Sequence, residues 1–200
     1  QPMKVLDHGY IKTIETWGSD ERIIEAARQS TDKGFLGWGP NICSSCGNYG
    51  QVGCNRCHGT ALEPGDEKLL AYLHKHKHDS PFEFAGMVIE VQAPIFVFRE
   101  WHRHRTQSYN EMSARYTPLP DVNYMPSIDR LMMSGGPNKQ AQGSKEVSLS
   151  DAAYFSDALR CAYETGQNTY EMALGSGVPR ELARLCIPVG RYSRMRASAN

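Results

Sequence analysis

Apolar side chains recur at helical spacing in three stretches of this chain and alternate as in a strand in one. Over Asp20 to Ser30, Ile23, Ile24 and Ala27 share one helical face. A second short helix is predicted from Asp66 to Lys77, with Leu69, Leu70 and Leu73 inward, ended by His78-Asp79-Ser80-Pro81. A long helix is predicted after Ser148, whose spacing to Asp151 is that of a capping box, and runs to about Leu174. Its inner face is read as Phe155, Leu159, Ala162, Tyr163 and Tyr170. Pro179 suits the start of a further short helix carrying Arg180 and Arg184 on one face, which Pro188 should stop. Met87, Ile89, Val91 and Ala93 alternate with Val88, Glu90 and Gln92, as in a half-buried strand interrupted by Pro94. Ile95 to Trp101 is apolar enough for strand or helix, and its continuation through Thr106 favours helix. Thr31 to Pro40 reads as a glycine-rich loop, Pro118 to Pro126 as irregular, and Gly135 to Ser144 as a polar, mobile loop. There is no internal repeat. The chain is a mix of α and β rather than a βαβ array.

Composition narrows the class. Two hundred residues suit one domain carrying a small insertion. With 22 basic and 22 acidic side chains the formal net charge is 0, which argues against a general nucleic-acid binder. No run approaches the roughly 20 apolar residues that span a bilayer, and Gln1-Pro2-Met3-Lys4 opens no secretory segment, so a cytoplasmic protein without membrane partners is expected. Of six cysteines four are clustered, while Cys161 and Cys186 read as core thiols. Phe82, Phe84, Phe96, Phe98 and Trp101 also read as core. His74 and His76, two apart, spread around a helix and read as solvent-facing rather than as metal ligands.

Residues 41–60 differ from the rest in being rich in Cys, Gly and Asn. Cys43-Ser44-Ser45-Cys46 and Cys54-Asn55-Arg56-Cys57 form two C-x2-C pairs separated by seven residues. Each pair places two thiolates on one tight turn, and four sulfurs match tetrahedral zinc. His58 can stand in for a cysteine, although four sulfurs need no fifth partner. Reduced thiols, a redox dithiol pair and an iron–sulfur centre are the competing readings. A closed thiolate site offers no open position for substrate, so the insertion reads as a staple. Arg56 is its one fixed cation, which weighs against a nucleic-acid-binding ribbon.

The densest chemistry is Arg103-His104-Arg105-Thr106-Gln107-Ser108-Tyr109-Asn110-Glu111-Met112-Ser113-Ala114-Arg115-Tyr116, three arginines, a histidine, two serines and a glutamate within fourteen residues. Buried charges of this density need partners, and guanidinium groups suit phosphates and carboxylates. From the residues alone, a solvated helix face or an ion-pair network competes with an anion site. The block resembles the R-H-R-x-x-S-x-N-E-x-S-x-R-Y signature of flavin-dependent thymidylate synthases. His78-Asp79-Ser80-Pro81-Phe82-Glu83, Ala93-Pro94-Ile95-Phe96-Val97-Phe98-Arg99 and Arg180-Glu181-Leu182-Ala183-Arg184 resemble further segments of that family. The resemblance covers nearly the whole chain outside the cysteine insertion.

That resemblance implies an α+β fold with a mixed sheet packed with helices, a homotetramer with shared active sites, and conversion of dUMP to dTMP. It implies FAD as the flavin, NADPH as reductant and methylenetetrahydrofolate as carbon donor. Carried over by position, Ser30, His78, Ser80, Glu83 and Asn200 resemble flavin contacts. Arg103, His104 and Arg105 resemble the residues surrounding flavin, the arginines also able to meet its phosphates or shape the folate pocket, and with Glu111 they are the catalytic residues the resemblance implies. Glu111, Ser113, Arg115 and Arg184 resemble the nucleotide site, with Glu111 accepting from sugar or water because a carboxylate repels phosphate. Ser113 has no base beside it and is expected to bind rather than attack.

Three positions depart from the family pattern. Glu100 stands where Gln is usual, exchanging a group that donates for one that only accepts when ionised; it pairs with an arginine, alters nucleotide binding, or tunes a different carbon-transfer outcome. Ala114 replaces a common glycine, and His102 replaces an aromatic residue and adds a proton-transfer group. The sequence stops at Asn200, before a segment that in the family carries further flavin and base contacts. Two rivals follow: a flavin-dependent hydroxymethyltransferase acting on deoxypyrimidine nucleotides, and a non-catalytic, zinc-stapled nucleotide or nucleic-acid-binding protein.

Overall fold

A computed structural model describes residues 1–133 and 147–200. The Gly135–Ser144 loop expected from the sequence lies outside the described residues. The fold is α+β. A five-stranded sheet has the order β1 (Met3–Val5), β2 (Gly9–Trp17), β5 (Gly86–Pro94), β7 (Tyr192–Ala199), β6 (Ser108–Glu111). β1 and β2 form an antiparallel hairpin with Met3 opposite Ile11 and Val5 opposite Gly9. A separate two-stranded ladder pairs β3 (Asn41–Ile42) with β4 (Leu62–Glu63). The chain divides into two compact units, Gln1–Thr13 with Ile89–Ala197 and Ile14–Val88 with Ser198–Asn200.

In the first unit the core consists of Val91, Ala93, Phe98, Met195 and Ala197, flanked by Ile11, Ile89, Val97, Trp101 and Tyr109. Period-2 alternation supplies it: Ser193, Met195 and Ala197 of β7 are buried while Arg194 and Arg196 are exposed. Helix α3 (Ile95–Trp101) starts directly after Pro94, where a fixed φ and a missing N–H suit a helix start. It ends sooner than the apolar run suggests. Arg103 N donates to Glu100 O and His104 N to Trp101 O, an i→i+3 tightening, so Arg103, His104 and Arg105 lie on the turn after the helix. Phe96 and Phe98 are two residues apart on α3, hence on opposite sides. Phe98 is fully buried, whereas Phe96 is exposed and its ring meets Tyr124, which corrects the five-aromatic core.

Helix α4 (Ile128–Met132), unforeseen, is capped by Ser127 and packs on α5 (Leu149–Gly175). The Ser148 cap forms, its Oγ accepting from Asp151 N at 3.1 Å. The inner stripe of α5 runs through Ala152, Leu159, Tyr163, Gly166 and Tyr170. Phe155 and Ala162 fall to one side of it and are exposed, as is Cys161, which is therefore not a core thiol. Gly166 permits the close approach of Cys186 O, which a Cβ there would meet at 2.9 Å. Cys186 is half-buried and its thiol donates to Gly166 O and Ala183 O. Pro179 serves as N-cap of α6 (Arg180–Ala183), and a 3-10 turn over Arg184–Cys186 ends the helical stretch before Pro188.

In the second unit α1 (Asp20–Arg28) buries Ile23 and Ile24, and Ser19 caps it by accepting from Arg22 N. It packs on α2 (Glu67–Lys75) and on the 3-10 turn Ser80–Phe84. Leu73 is the buried residue of α2, with Leu69 and Leu70 half-buried. Phe84, at the end of the 3-10 turn, is exposed rather than core. The glycine-rich loop is held down: buried Asp66 pairs with Arg28 and accepts from Leu36 N, while Glu67 accepts from Gly39 N and Gly65 N. His74 and His76 are exposed. Among the described residues no helix is long and apolar enough to cross a membrane.

Candidate functional site

β6 carries the signature block along the sheet to the rim of a cavity of about 640 Å³ within the first unit. Met112 N donates to Arg194 O at 2.8 Å, so the ladder continues past Glu111. The chain then turns at Ser113, whose carbonyl accepts from Tyr116 N at 3.0 Å. Glu111, Ser113, Arg115 and Arg184, expected together from the resemblance, all line this one cavity. Ser113 Oγ accepts from both the N and the Nε of Arg115 at 3.3 Å, which leaves its own proton to donate into the cavity. Arg115 also lies over the Tyr116 ring at 5.3 Å. Arg184 Nε donates to Glu181 O at 3.3 Å, using one of its five N–H groups. Arg180 does not join them; its guanidinium donates to Tyr116 O at 2.6 Å and braces the turn from behind.

Two polar wall residues escaped the sequence reading. Arg99 lies four residues after Ile95 on α3, and both line the cavity; the i,i+4 relation was visible, but nothing local marked that face as a wall. Ser193 sits on β7 in the register of the buried residues Met195 and Ala197, only 2% exposed, and its hydroxyl has no hydrogen-bond partner among the described residues. An unpaired buried hydroxyl costs about 1–3 kcal/mol. Among the described residues the cavity therefore holds three arginines against one carboxylate. Among the described residues none of Arg99, Arg103, Arg105, Arg115 and Arg184 pairs with a carboxylate. The ion-pair-network reading of the block does not apply, and neither does a helix face, since the block is turn, strand and turn.

A second cavity of about 650 Å³ in the same unit is lined by Val97, Glu100, Trp101, Arg103, His104 and Gln107. Trp101 Nε1 donates to Gln107 Oε1 at 2.9 Å, and Tyr109 OH donates to His104 O at 2.5 Å, so the turn carrying Arg103 and His104 is pinned. Glu100 belongs to this cavity rather than to the wall with Arg115 and Arg184, and it makes no ion pair among the described residues. Arg105 is exposed and lines neither cavity. The His102 ring packs against Tyr109 and puts Nε2 at 3.1 Å from Met195 Sδ, and His102 lines neither cavity. An apolar and aromatic wall beside cationic donors suits a flat, anionic cofactor such as a flavin nucleotide.

In the second unit Ser30 lies on the 3-10 turn after α1, His78 just after α2 with its ring stacked on Tyr72, and Ser80 and Glu83 on the turn packed against α1. All four are exposed, as is Asn200.

The four insertion cysteines converge, their sulfurs all within 4.8 Å of one another. Cys43 Sγ is 3.7 Å from Cys54 Sγ, and Cys46 Sγ is 3.4 Å from Cys57 Sγ. A tetrahedron with Zn–S bonds of about 2.3 Å has an S···S edge of about 3.8 Å, so the donors fit a zinc ion with little adjustment. As bare thiols they share protons unevenly. The backbone N–H groups of Cys57 and Arg56 bring Cys54 down to about 6. Cys46 is pushed up to about 12: a backbone hydrogen bond from Gln51 lowers it, but the hydrogen bond with Cys57, burial, and hydrogen bonds with Cys43 and Cys54 together outweigh that. His58 is exposed and outside the cluster. Arg56 donates to Ser44 and faces Glu63 at 3.7 Å, so the insertion's one fixed cation is already engaged.

Residues 12–200 match the model of the family described as thymidylate synthase complementing protein. The chain is 34% identical over 190 residues to a flavin-dependent thymidylate synthase of Ehrlichia ruminantium, covering 95% of this chain and 55% of that protein. It is 32% identical over 200 residues to one of Thermosipho melanesiensis, covering 98% and 74%. Among solved structures it is similar to the UMP/dUMP methylase PolB from Streptomyces cacaoi bound with 5-Br dUMP, with TM-score 0.71, 32% identity, and 98% and 74% coverage. The chain spans 55–58% of the length of several of these relatives.

Proposed function

Because the chain belongs to the flavin-dependent thymidylate synthase family, we propose that it methylates dUMP to dTMP with FAD, taking carbon from methylenetetrahydrofolate and reducing equivalents from NADPH. The observation that carries this reading is the cavity in which Arg99, Arg115 and Arg184, none paired with a carboxylate among the described residues, face the Ser113 hydroxyl. Such a lining holds a phosphomonoester: the guanidinium forks neutralise its charge and Ser113 donates to an oxygen. Glu111, the one carboxylate there among the described residues, accepts from a sugar hydroxyl or ordered water and sets the nucleotide's orientation. FAD, when bound, supplies the hydride that completes the methyl group. Arg103 and His104 would hold it from the second cavity against Trp101, with Arg105 a further contact by family position. Ser30, His78, Ser80, Glu83 and Asn200 of the second unit are flavin contacts by family position alone. Zinc bound by Cys43, Cys46, Cys54 and Cys57 is structural: four sulfurs close its coordination shell.

A homotetramer with shared active sites is part of the same reading. Tyr154, Phe155 and Met172 of α5 are left exposed, apolar area available to a second copy. Light scattering that found only monomer would remove this part.

The rival product is a hydroxymethylated nucleotide, favoured by Glu100 lining the second cavity as a carboxylate with no arginine partner among the described residues. The test is to incubate the protein with FAD, NADPH, methylenetetrahydrofolate and dUMP, with UMP in parallel, and to weigh the product by mass spectrometry. Methyl addition to dUMP supports the proposal, and hydroxymethyl addition moves the assignment to the rival. A non-catalytic binder would leave both nucleotides and the NADPH unchanged.

A further inference from the structure

Among the described residues Ser193 is the one cavity-wall group that is polar, buried and unpartnered. β7 alternates so that positions 193, 195 and 197 face inward, and Met195 and Ala197 fill that register with apolar atoms. A hydroxyl in that register, closed to solvent and satisfied by no described group, destabilises the empty protein, and the residue that carries it lines the cavity. A buried polar atom left open in a native protein needs an explanation, and this one belongs to the wall that also carries Arg99, Arg115, Arg184 and Ser113. Its surroundings are net positive, and the remaining capacity of a hydroxyl beside donor-only guanidinium groups is to donate to the same anion.

We propose that the Ser193 hydroxyl donates a hydrogen bond to the phosphate of the nucleotide bound in this cavity, adding a neutral contact from β7 to those of the arginines and Ser113. The identity of the nucleotide rests on the function proposed above; the phosphate contact itself needs only a phosphomonoester.

The test compares wild type, Ser193→Ala and Ser193→Thr by calorimetric titration with dUMP, deoxyuridine and inorganic phosphate, and by melting without ligand. Ser193→Ala should weaken dUMP and inorganic phosphate about ten- to hundred-fold, the worth of a hydrogen bond to a charged group. It should leave deoxyuridine binding unchanged, and Ser193→Thr should restore the lost affinity. Without ligand, Ser193→Ala should melt at or above the wild-type temperature, since it removes an unpaired buried hydroxyl. A purely structural serine would lower that temperature. Unchanged dUMP affinity, an equal loss for deoxyuridine, or a destabilised Ser193→Ala protein with normal affinity would each overturn the proposal. Wild type that bound phosphate but not dUMP would sink the nucleotide reading alone, leaving Ser193 to be judged on phosphate. Wild type that bound neither would overturn both.

Discussion

Arg191 offers the most exacting test of how the cavity wall is held. It is fully buried, donates from Nη1 to Pro120 O at 2.9 Å and from Nη2 to Gln167 Oε1 at 2.7 Å, and faces Asp121 at 3.1 Å. It thereby ties three pieces together: the chain entering β7, helix α5 through Gln167, and the irregular segment that includes Leu119 of the cavity wall. Arg191→Met keeps length and removes every donor. Two charge-assisted hydrogen bonds at about 1.5–3 kcal/mol each give a gross loss of about 3–6 kcal/mol. Relief of the desolvated guanidinium, including its unpartnered Nε, offsets about 1–3 kcal/mol of that. Asp121 is 55% exposed and stays hydrated, so its share is at most about 1 kcal/mol. The net expectation is destabilisation by about 3 kcal/mol, at the lower edge of values for breaking a buried pair by removing one partner. For a chain of this length that lowers the melting temperature by about 6–12 °C. Urea titration at constant m-value and calorimetric melting measure it, with Arg191→Lys falling between because it keeps the charge but loses the fork. A loss under about 1 kcal/mol would refute the reasoning. It would mean that the backbone bonds Tyr192 N to Val122 O and Tyr124 N to Gly190 O hold the segment without the guanidinium.

Three further outcomes are expected. Arg115→Ala and Arg184→Ala should each weaken dUMP binding about ten- to hundred-fold by calorimetry, whereas Arg160→Ala, an exposed α5 residue paired with Asp157, should leave it unchanged. Wild type should carry one zinc per chain in a colorimetric metal assay, and Cys54→Ser should lower that zinc affinity by more than about ten-fold; full zinc retention would refute four-sulfur ligation. Burial raises Asp7, but hydrogen bonds from Met125 N, Tyr192 OH and His8 N outweigh it and hold its carboxyl below the usual range. Its stabilisation is thus complete above the ordinary Asp value of about 3.9 and is lost as pH falls through the lower folded value. Asp7→Asn should flatten that acid limb of stability, measured by urea titration from neutral pH downward.

The helices came through in the sequence where a single face carries the signal, as with Ile23 and Ile24 of α1 or the Ser148 cap of α5. β2 did not, because most of its residues are exposed and its polar positions obey no two-residue period. The face of α5 was misread at Phe155 and Ala162, since apolar residues flanking the stripe look the same in sequence as those on it. Phe96 was misread because residues two apart share a face in a strand and oppose one another in a helix.

What the sequence determined by itself was chemistry among near neighbours: the four-thiol cluster, and the arginine, serine and glutamate block. A short connector leaves few geometries, so spacing alone brings Cys43, Cys46, Cys54 and Cys57 within reach of one ion. Only the tertiary structure decided which remote groups face that block. Arg184 from the segment after α6, Arg99 from α3 and Ser193 from β7 meet Arg115 because β7 lies beside β6 in the sheet and α3 follows directly from β5. Strand order is settled by burial of the whole apolar surface rather than by any local residue pattern, and so the cavity's full lining could not be read along the chain.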